Sequence, residues 1–168
     1  SMTIGMLGFG EVAQAIFERI GEHWELSIKR ILSPSPRAGA GERFTDNADD
    51  ILRDSEIDAV IDALEGGQPS LDYAMRALKA GKHVYVDKPL AVTAESAERI
   101  AAAARESKAF TRMVFNNRYF PSTLRAKALL DEGRVGEILS FQARYLHSGS
   151  IDPDKPIGWK QGAQGGVL

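Results

Sequence analysis

A doubly wound α/β sheet is the fold class this 168-residue chain predicts. Three observations predict it. A short apolar strand at the start runs into Gly8-Phe9-Gly10-Glu11-Val12-Ala13 and then into an amphipathic helix. Further apolar strands follow, separated by helical stretches, an alternation that requires right-handed crossovers and a parallel sheet. One of those strands, His83-Val84-Tyr85-Val86, breaks off into Asp87-Lys88-Pro89-Leu90, which sets a cation at the rim of the sheet.

The first strand is Thr3-Ile4-Gly5-Met6-Leu7, and the helix after the turn carries apolar positions at Val12, Ala13, Ile16, Phe17 and Ile20. Strand, G-x-G-x-x-A and helix are the context of a Rossmann-type dinucleotide fingerprint. Gly8 permits the tight turn, Gly10 lets the backbone approach a pyrophosphate, and Ala13 keeps the helix close to the strand. Free N–H groups at the helix N-terminus, on Glu11 and Val12 among others, then face the phosphates.

The second strand is Leu26 to Leu32, followed by Ser33-Pro34-Ser35-Pro36-Arg37. A site for NAD would place a carboxylate here to hold the ribose hydroxyls. This stretch has none. The hydroxyls of Ser33 and Ser35 and the guanidinium of Arg37 suit a 2′-phosphate, so NADP is expected ahead of NAD.

Residues 39–46 read as a loop, and Asn47 as the cap of a short helix holding Ile51 and Leu52. The next strand, Ile57 to Leu64, feeds Glu65-Gly66-Gly67-Gln68-Pro69, where paired glycines let the backbone pass close to a ligand. Leu64, Glu65, Gly66 and Gln68 are candidate cofactor contacts. Ser70 is expected to cap a helix that closes at Gly81. Asp87 and Lys88 complete the set. Gly8, Ser33, Glu65 and Lys88 each follow a strand end, so all are expected to line one crevice beyond the carboxyl ends of the strands.

A helix is expected from about Thr93 to Ser107, then a strand over Phe110 to Phe115, then Asn116-Asn117-Arg118-Tyr119-Phe120-Pro121 and a helix ending at Gly133. Ile138 to Leu146 alternates with period two, the mark of a half-exposed antiparallel strand. Residues 3–120 are therefore read as the nucleotide-binding domain. Residues 121–168 are read as the start of a truncated α+β domain with an antiparallel sheet, because little remains for that strand to pair with. Arg118, Tyr119 and Trp159 are candidate substrate contacts.

Composition narrows the function classes. The chain is 43% apolar and 26% charged with a net charge of −2, which offers no basic footprint for nucleic acid or an anionic membrane. No apolar run reaches the length of a membrane span. It has no cysteine and three scattered histidines, so thiol chemistry is excluded and metal ligation is not expected. A cytoplasmic setting without a secretory leader is the expectation, with Ser1-Met2 read as a cleavage scar.

Several stretches together resemble the glucose–fructose oxidoreductase and inositol dehydrogenase family (Gfo/Idh/MocA). They are Gly8 to Ala13, Ile57-Asp58-Ala59-Val60, Ala77 to Val84, Asp87-Lys88-Pro89-Leu90-Ala91, Arg118-Tyr119-Phe120-Pro121 and Gly133 to Ile138. The resemblance implies an NAD(P)-dependent oxidoreductase acting on a sugar, polyol or related hydroxy compound. It also implies homo-oligomerisation through a C-terminal sheet, and a role for Lys88 at the substrate hydroxyl and the nicotinamide. Asp87 stands where members carry glutamate. Gly66-Gly67-Gln68-Pro69-Ser70 replaces the usual asparagine and histidine, and is closer to homoserine dehydrogenases. The family's Asp-x-Gly-x-His motif is not reached before Leu168, so the chain is expected to be catalytically incomplete by itself. A non-catalytic NAD(P)-binding regulatory module and a homoserine dehydrogenase-like enzyme are the alternatives.

Overall fold

A computed structural model describes residues 1–34, 41–64, 68–149, 151–156 and 158. Two units divide it, residues 1–114 and 115–158. In the first, six strands form one parallel sheet: β1 (Met2–Leu7), β2 (Leu26–Leu32), β3 (Phe44–Thr45), β4 (Ala59–Asp62), β5 (His83–Val86) and β6 (Thr111–Met113), in the order β3-β2-β1-β4-β5-β6. The connections carry α1 (Glu11–Gly21), α2 (Asp49–Leu52), α3 (Gln68–Lys79) and α4 (Ala94–Glu106).

At β1 and β4 both sheet faces are buried, as central strands of a parallel sheet between two helical layers require, whereas Tyr85 of β5 and Arg112 of β6 are exposed. On one face Leu7, Val60, Val84 and Val86 pack with Leu71, Ala74, Ala77 and Leu78 of α3 and Ile100 of α4. On the other, Ile4, Met6, Ile31 and Ile61 pack with Ala13 and Ile20 of α1. Val12, expected on the apolar stripe of α1, is 58% exposed, because the stripe turns toward the sheet only from Ala13 onward.

Glycine ends α3 as expected. Gly81 has φ +76°, its N–H donates to Leu78 O (2.9 Å), and the Lys82 N–H donates to Ala77 O (3.0 Å). This paired pattern satisfies two carbonyls that the helix leaves open. The N-terminus of α3 departs from expectation. The helix begins at Gln68, so Ser70 lies inside its first turn instead of capping it. Pro69 fits there, since N–H groups of a first turn have no helical partner. Asn47 caps one position early: its Oδ1 accepts from the Asp49 N–H at 3.0 Å, beside an α2 that starts at Asp49. β4 stops at Asp62, two residues short of the expected end, because the Asp62 carboxylate accepts the Leu64 N–H (3.1 Å) and turns the chain. Phe44–Thr45 forms an edge strand within the expected loop, too short for any periodicity to reveal.

The second unit holds a tight turn over Asn116–Tyr119 and α5 (Pro121–Asp131). Gly133, φ +70°, closes α5 with the same two bonds that end α3, from Gly133 N–H to Leu130 O and from Arg134 N–H to Leu129 O, both at 3.0 Å. Residues 138–146 form no strand and are exposed throughout. Their alternation fits a strand, but among the described residues none pairs with them, and an unpaired strand cannot satisfy its backbone.

Candidate functional site: the carboxyl edge of the sheet

The register aligns the strand ends. Leu7 sits opposite Leu32 on one side and Asp62 on the other, and Asp62 opposite Val86. Hydrogen bonds continue one residue further: Gly8 N–H to Leu32 O (3.0 Å), Ala63 N–H to Leu7 O (2.9 Å), Asp87 N–H to Asp62 O (3.0 Å) and Ser33 N–H to Thr45 O (2.8 Å). Gly8, Ser33, Leu64, Asp87 and Lys88 therefore emerge from one edge of one sheet. The chain runs outward from β1 to β2 and β3, then crosses back to β4. Gly8 thus stands at the switch point, where such sheets open a crevice for ligands.

Gly8 has φ +91°, and a Cβ there would lie 2.9 Å from Ala63 O and 3.2 Å from Leu64 Cδ2. No other residue type fits that turn without moving backbone. Gly10 precedes α1 in an extended conformation, and no side chain caps the helix, so its first N–H groups are left for an anion. Phe9 is turned inward. Its ring meets Phe17 and Phe44 edge-on at 5.7 and 5.1 Å, and its carbonyl accepts from Gln14 Nε2 at 3.2 Å. Phe9 therefore anchors the turn through its side chain and faces the edge only through its backbone. Glu11 and Val12 are exposed at the helix start.

At the other end of the edge, Asp87 is half-buried and its Oδ1 accepts the Lys88 N–H at 2.8 Å. Lys88 is exposed, and its bond to Pro89 is cis. Ser35, Arg37, Glu65, Gly66 and Trp159 lie outside the described residues, as does the side chain of Gln68. Arg118 and Tyr119 occupy the exposed Asn116–Tyr119 turn of the second unit.

One residue of this edge escaped the sequence reading. Asp62 is only 2% exposed, and its carboxylate takes the Leu64 N–H and the Ser70 hydroxyl. Burial pushes its carboxyl above the ordinary range and the nearby Asp87 charge adds to this, against the opposing effect of the two hydrogen bonds. The signal was an acid inside the apolar run Val60-Ile61-Asp62-Ala63-Leu64.

Comparison with known proteins agrees with this geometry. Residues 2–115 match the profile of GFO_IDH_MocA, an oxidoreductase family with an NAD-binding Rossmann fold. The chain belongs to the Gfo/Idh/MocA family. Levoglucosan dehydrogenase of Pseudarthrobacter phenanthrenivorans is 32% identical over 143 residues, 80% of this chain and 36% of that protein. An inositol 2-dehydrogenase of Gluconacetobacter diazotrophicus is 28% identical over 155 residues, 86% of this chain and 46% of that protein. Scyllo-inositol dehydrogenase from Lactobacillus casei, solved with NAD(H) and scyllo-inositol, matches at TM-score 0.72 and 26% identity, over 82% of this chain and 43% of that one. The Gfo/Idh/MocA chain described here thus spans less than half the length of these relatives.

A nicotinamide dinucleotide fits what this chain presents. The Gly8 turn is a cradle that a Cβ would fill, and the uncapped start of α1 offers N–H donors and a positive dipole end to phosphates. Among the described residues no helix is long and apolar enough to cross a membrane.

Proposed function

We propose that the carboxyl edge holds NADP, or less tightly NAD, for a dehydrogenase acting on a hydroxyl carbon of a sugar or polyol. The observation that carries this reading is Gly8 and Lys88 on one edge, with only β4 between their strands, roughly 10 Å apart at ordinary strand spacing. That is a span a dinucleotide can bridge, from pyrophosphate at the Gly8 turn to nicotinamide near Lys88.

The bound cofactor supplies the hydride acceptor or donor. The remaining work falls to the protein. Gly8, Gly10 and the first N–H groups of α1 bind and orient the pyrophosphate. Ser33, Ser35 and Arg37 receive the adenosine ribose, where a guanidinium favours a 2′-phosphate. Lys88 hydrogen-bonds the substrate oxygen, taking the hydroxyl proton as CH–OH is oxidised and returning it as C=O is reduced. Arg118, Tyr119 and Trp159 are proposed substrate contacts. Homo-oligomerisation through a C-terminal sheet is proposed.

A panel of inositols, levoglucosan, simple sugars and hydroxy acids, assayed with NADP⁺ and NAD⁺ on the full-length protein, tests the activity. Lys88→Met is expected to lower turnover about 10²- to 10⁴-fold, the usual contribution of a positioned acid–base group, while the fold persists. Unchanged turnover would remove Lys88 from the chemistry. Arg37→Ala is expected to lower the NADPH-to-NADH affinity ratio by about ten- to a hundredfold, the scale of one charge-assisted contact. An unchanged ratio would sink the NADP preference.

A further inference from the structure

Asp62 has no part in that reading, yet it is wired to three segments of the cleft. Its Oδ1 accepts the Leu64 N–H at 3.1 Å, its Oδ2 accepts the Ser70 hydroxyl, and its backbone carbonyl accepts the Asp87 N–H at 3.0 Å. Leu64 in turn stands against the Gly8 turn, its Cδ2 3.2 Å from where a Gly8 Cβ would be. Ser70 belongs to the first turn of α3. Asp87 immediately precedes Lys88.

Packing alone does not call for an acid here. Val60, two residues earlier on the same face, packs into the same core fully buried. An apolar side chain at position 62 would bury its surface without the cost of desolvating a carboxyl group. What the carboxyl uniquely supplies is two acceptors, one directed at each end of the β4–α3 connection.

We infer that Asp62 is a positioning residue of the nucleotide cleft: by holding Leu64 and Ser70 together it fixes the wall against which the Gly8 turn meets the cofactor. This rests on the nucleotide-binding reading above. It touches neither substrate nor reacting atoms.

Four variants test it, with NADPH affinity read by fluorescence titration and folding read by urea midpoint. Asp62→Asn keeps an acceptor for Leu64 and offers Ser70 an amide donor, so affinity is expected to stay within about threefold of wild type. Asp62→Leu keeps the apolar packing but leaves the Leu64 N–H and the Ser70 hydroxyl without their acceptor, so it is expected to lower the midpoint and, while fully folded, to bind about tenfold or more weakly. Asp62→Ala is expected to lose as much affinity, and Ser70→Ala about threefold, the scale of one lost hydrogen bond. A role confined to stability would leave wild-type affinity in any variant that is fully folded under the titration conditions, so affinity of the folded Leu variant separates the two. Wild-type affinity in a folded Leu variant would overturn the inference, as would an Asn variant as weak as the Ala variant. If the Ala and Leu variants fail to fold, Ser70→Ala decides, and wild-type affinity there overturns it. A wild-type protein that binds neither NADPH nor NADH overturns the nucleotide reading itself, a result separable from any of these.

Discussion

Gly8 combines a backbone that L side chains avoid with a space that no side chain can occupy. Its φ of +91° alone costs a substituted residue about 1–2 kcal/mol, and the added Cβ would press on the Ala63 carbonyl, which is fixed by the Ala63 N–H to Leu7 O bond. Gly8→Ala is therefore expected to lower stability by about 1–2 kcal/mol or more, read as a fall in the urea midpoint. Gly21, the last residue of α1, has open space around its Cβ position. Gly21→Ala is the control, expected to leave the midpoint unchanged or raise it, since alanine is the better helix former. Equal effects from both would mean that the Gly8 turn is not tightly packed. The need for glycine at position 8 was legible in the sequence, because only a strand–turn–helix context imposes it. The partner that imposes it, Ala63 with Leu64, was not, because it lies 55 positions away and joins Gly8 only through the β1–β4 register.

At the scale of elements, two lysines near β5 show how much strand position decides. Lys88 leaves the carboxyl end of β5 exposed, whereas Lys82 precedes its first residue and is 5% exposed. The Lys82 Nζ donates to the carbonyls of Asp54 (2.6 Å) and Ile57 (2.7 Å) and so ties the α2–β4 connection to the end of α3. Burial lowers its pKa, while Asp54 and Asp58 act to raise it. Lys82→Met leaves two carbonyls without their donor and is expected to cost about 1–3 kcal/mol by chemical denaturation, against little change for Lys88→Met. A Lys82→Met protein as stable as wild type would show that the clamp contributes nothing. In the sequence, the proline after it singled out Lys88, whereas nothing marked Lys82 as buried, because the carbonyls it reaches lie 28 and 25 positions away. The long elements were legible for the opposite reason: α1, α3 and α4 repeat their apolar positions over several turns and carry glycine or threonine at their ends. Thr93, expected only as the approximate start of α4, caps it by accepting the Ser96 N–H at 3.2 Å. β3 was hidden because two residues cannot display a period. Residues 138–146 show the converse, a strand pattern without a strand, because period-two alternation says which face would be buried but supplies no partner.

Across the whole first unit, the order β3-β2-β1-β4-β5-β6 turns separate sequence features into one edge. A glycine turn at residue 8, a serine at 33, a leucine at 64 and an acid–lysine pair at 87 and 88 are unrelated in sequence and adjacent at the strand ends. The motifs at 8–13 and 87–90 could be found singly; only parallel pairing in this register shows that they share a side. The amino edge holds different chemistry, with Lys29 paired to Asp54 at 2.6 Å and to Glu56, and Thr3 N–H held by Asp58 at 2.8 Å. These groups bind one another and leave no cradle like that at Gly8. The proposed nicotinamide dinucleotide therefore lies along the carboxyl edge, across the β1–β4 switch point. Amide shift mapping of the ¹⁵N-labelled protein during NADPH titration tests it most directly. Saturable shifts are expected at Gly8 to Ala13, Ser33, Leu64, Asp87 and Lys88, with Thr3, Lys29, Asp54 and Glu56 unmoved. Shifts concentrated at the amino edge, or no saturable shift with either NADPH or NADH, would contradict it.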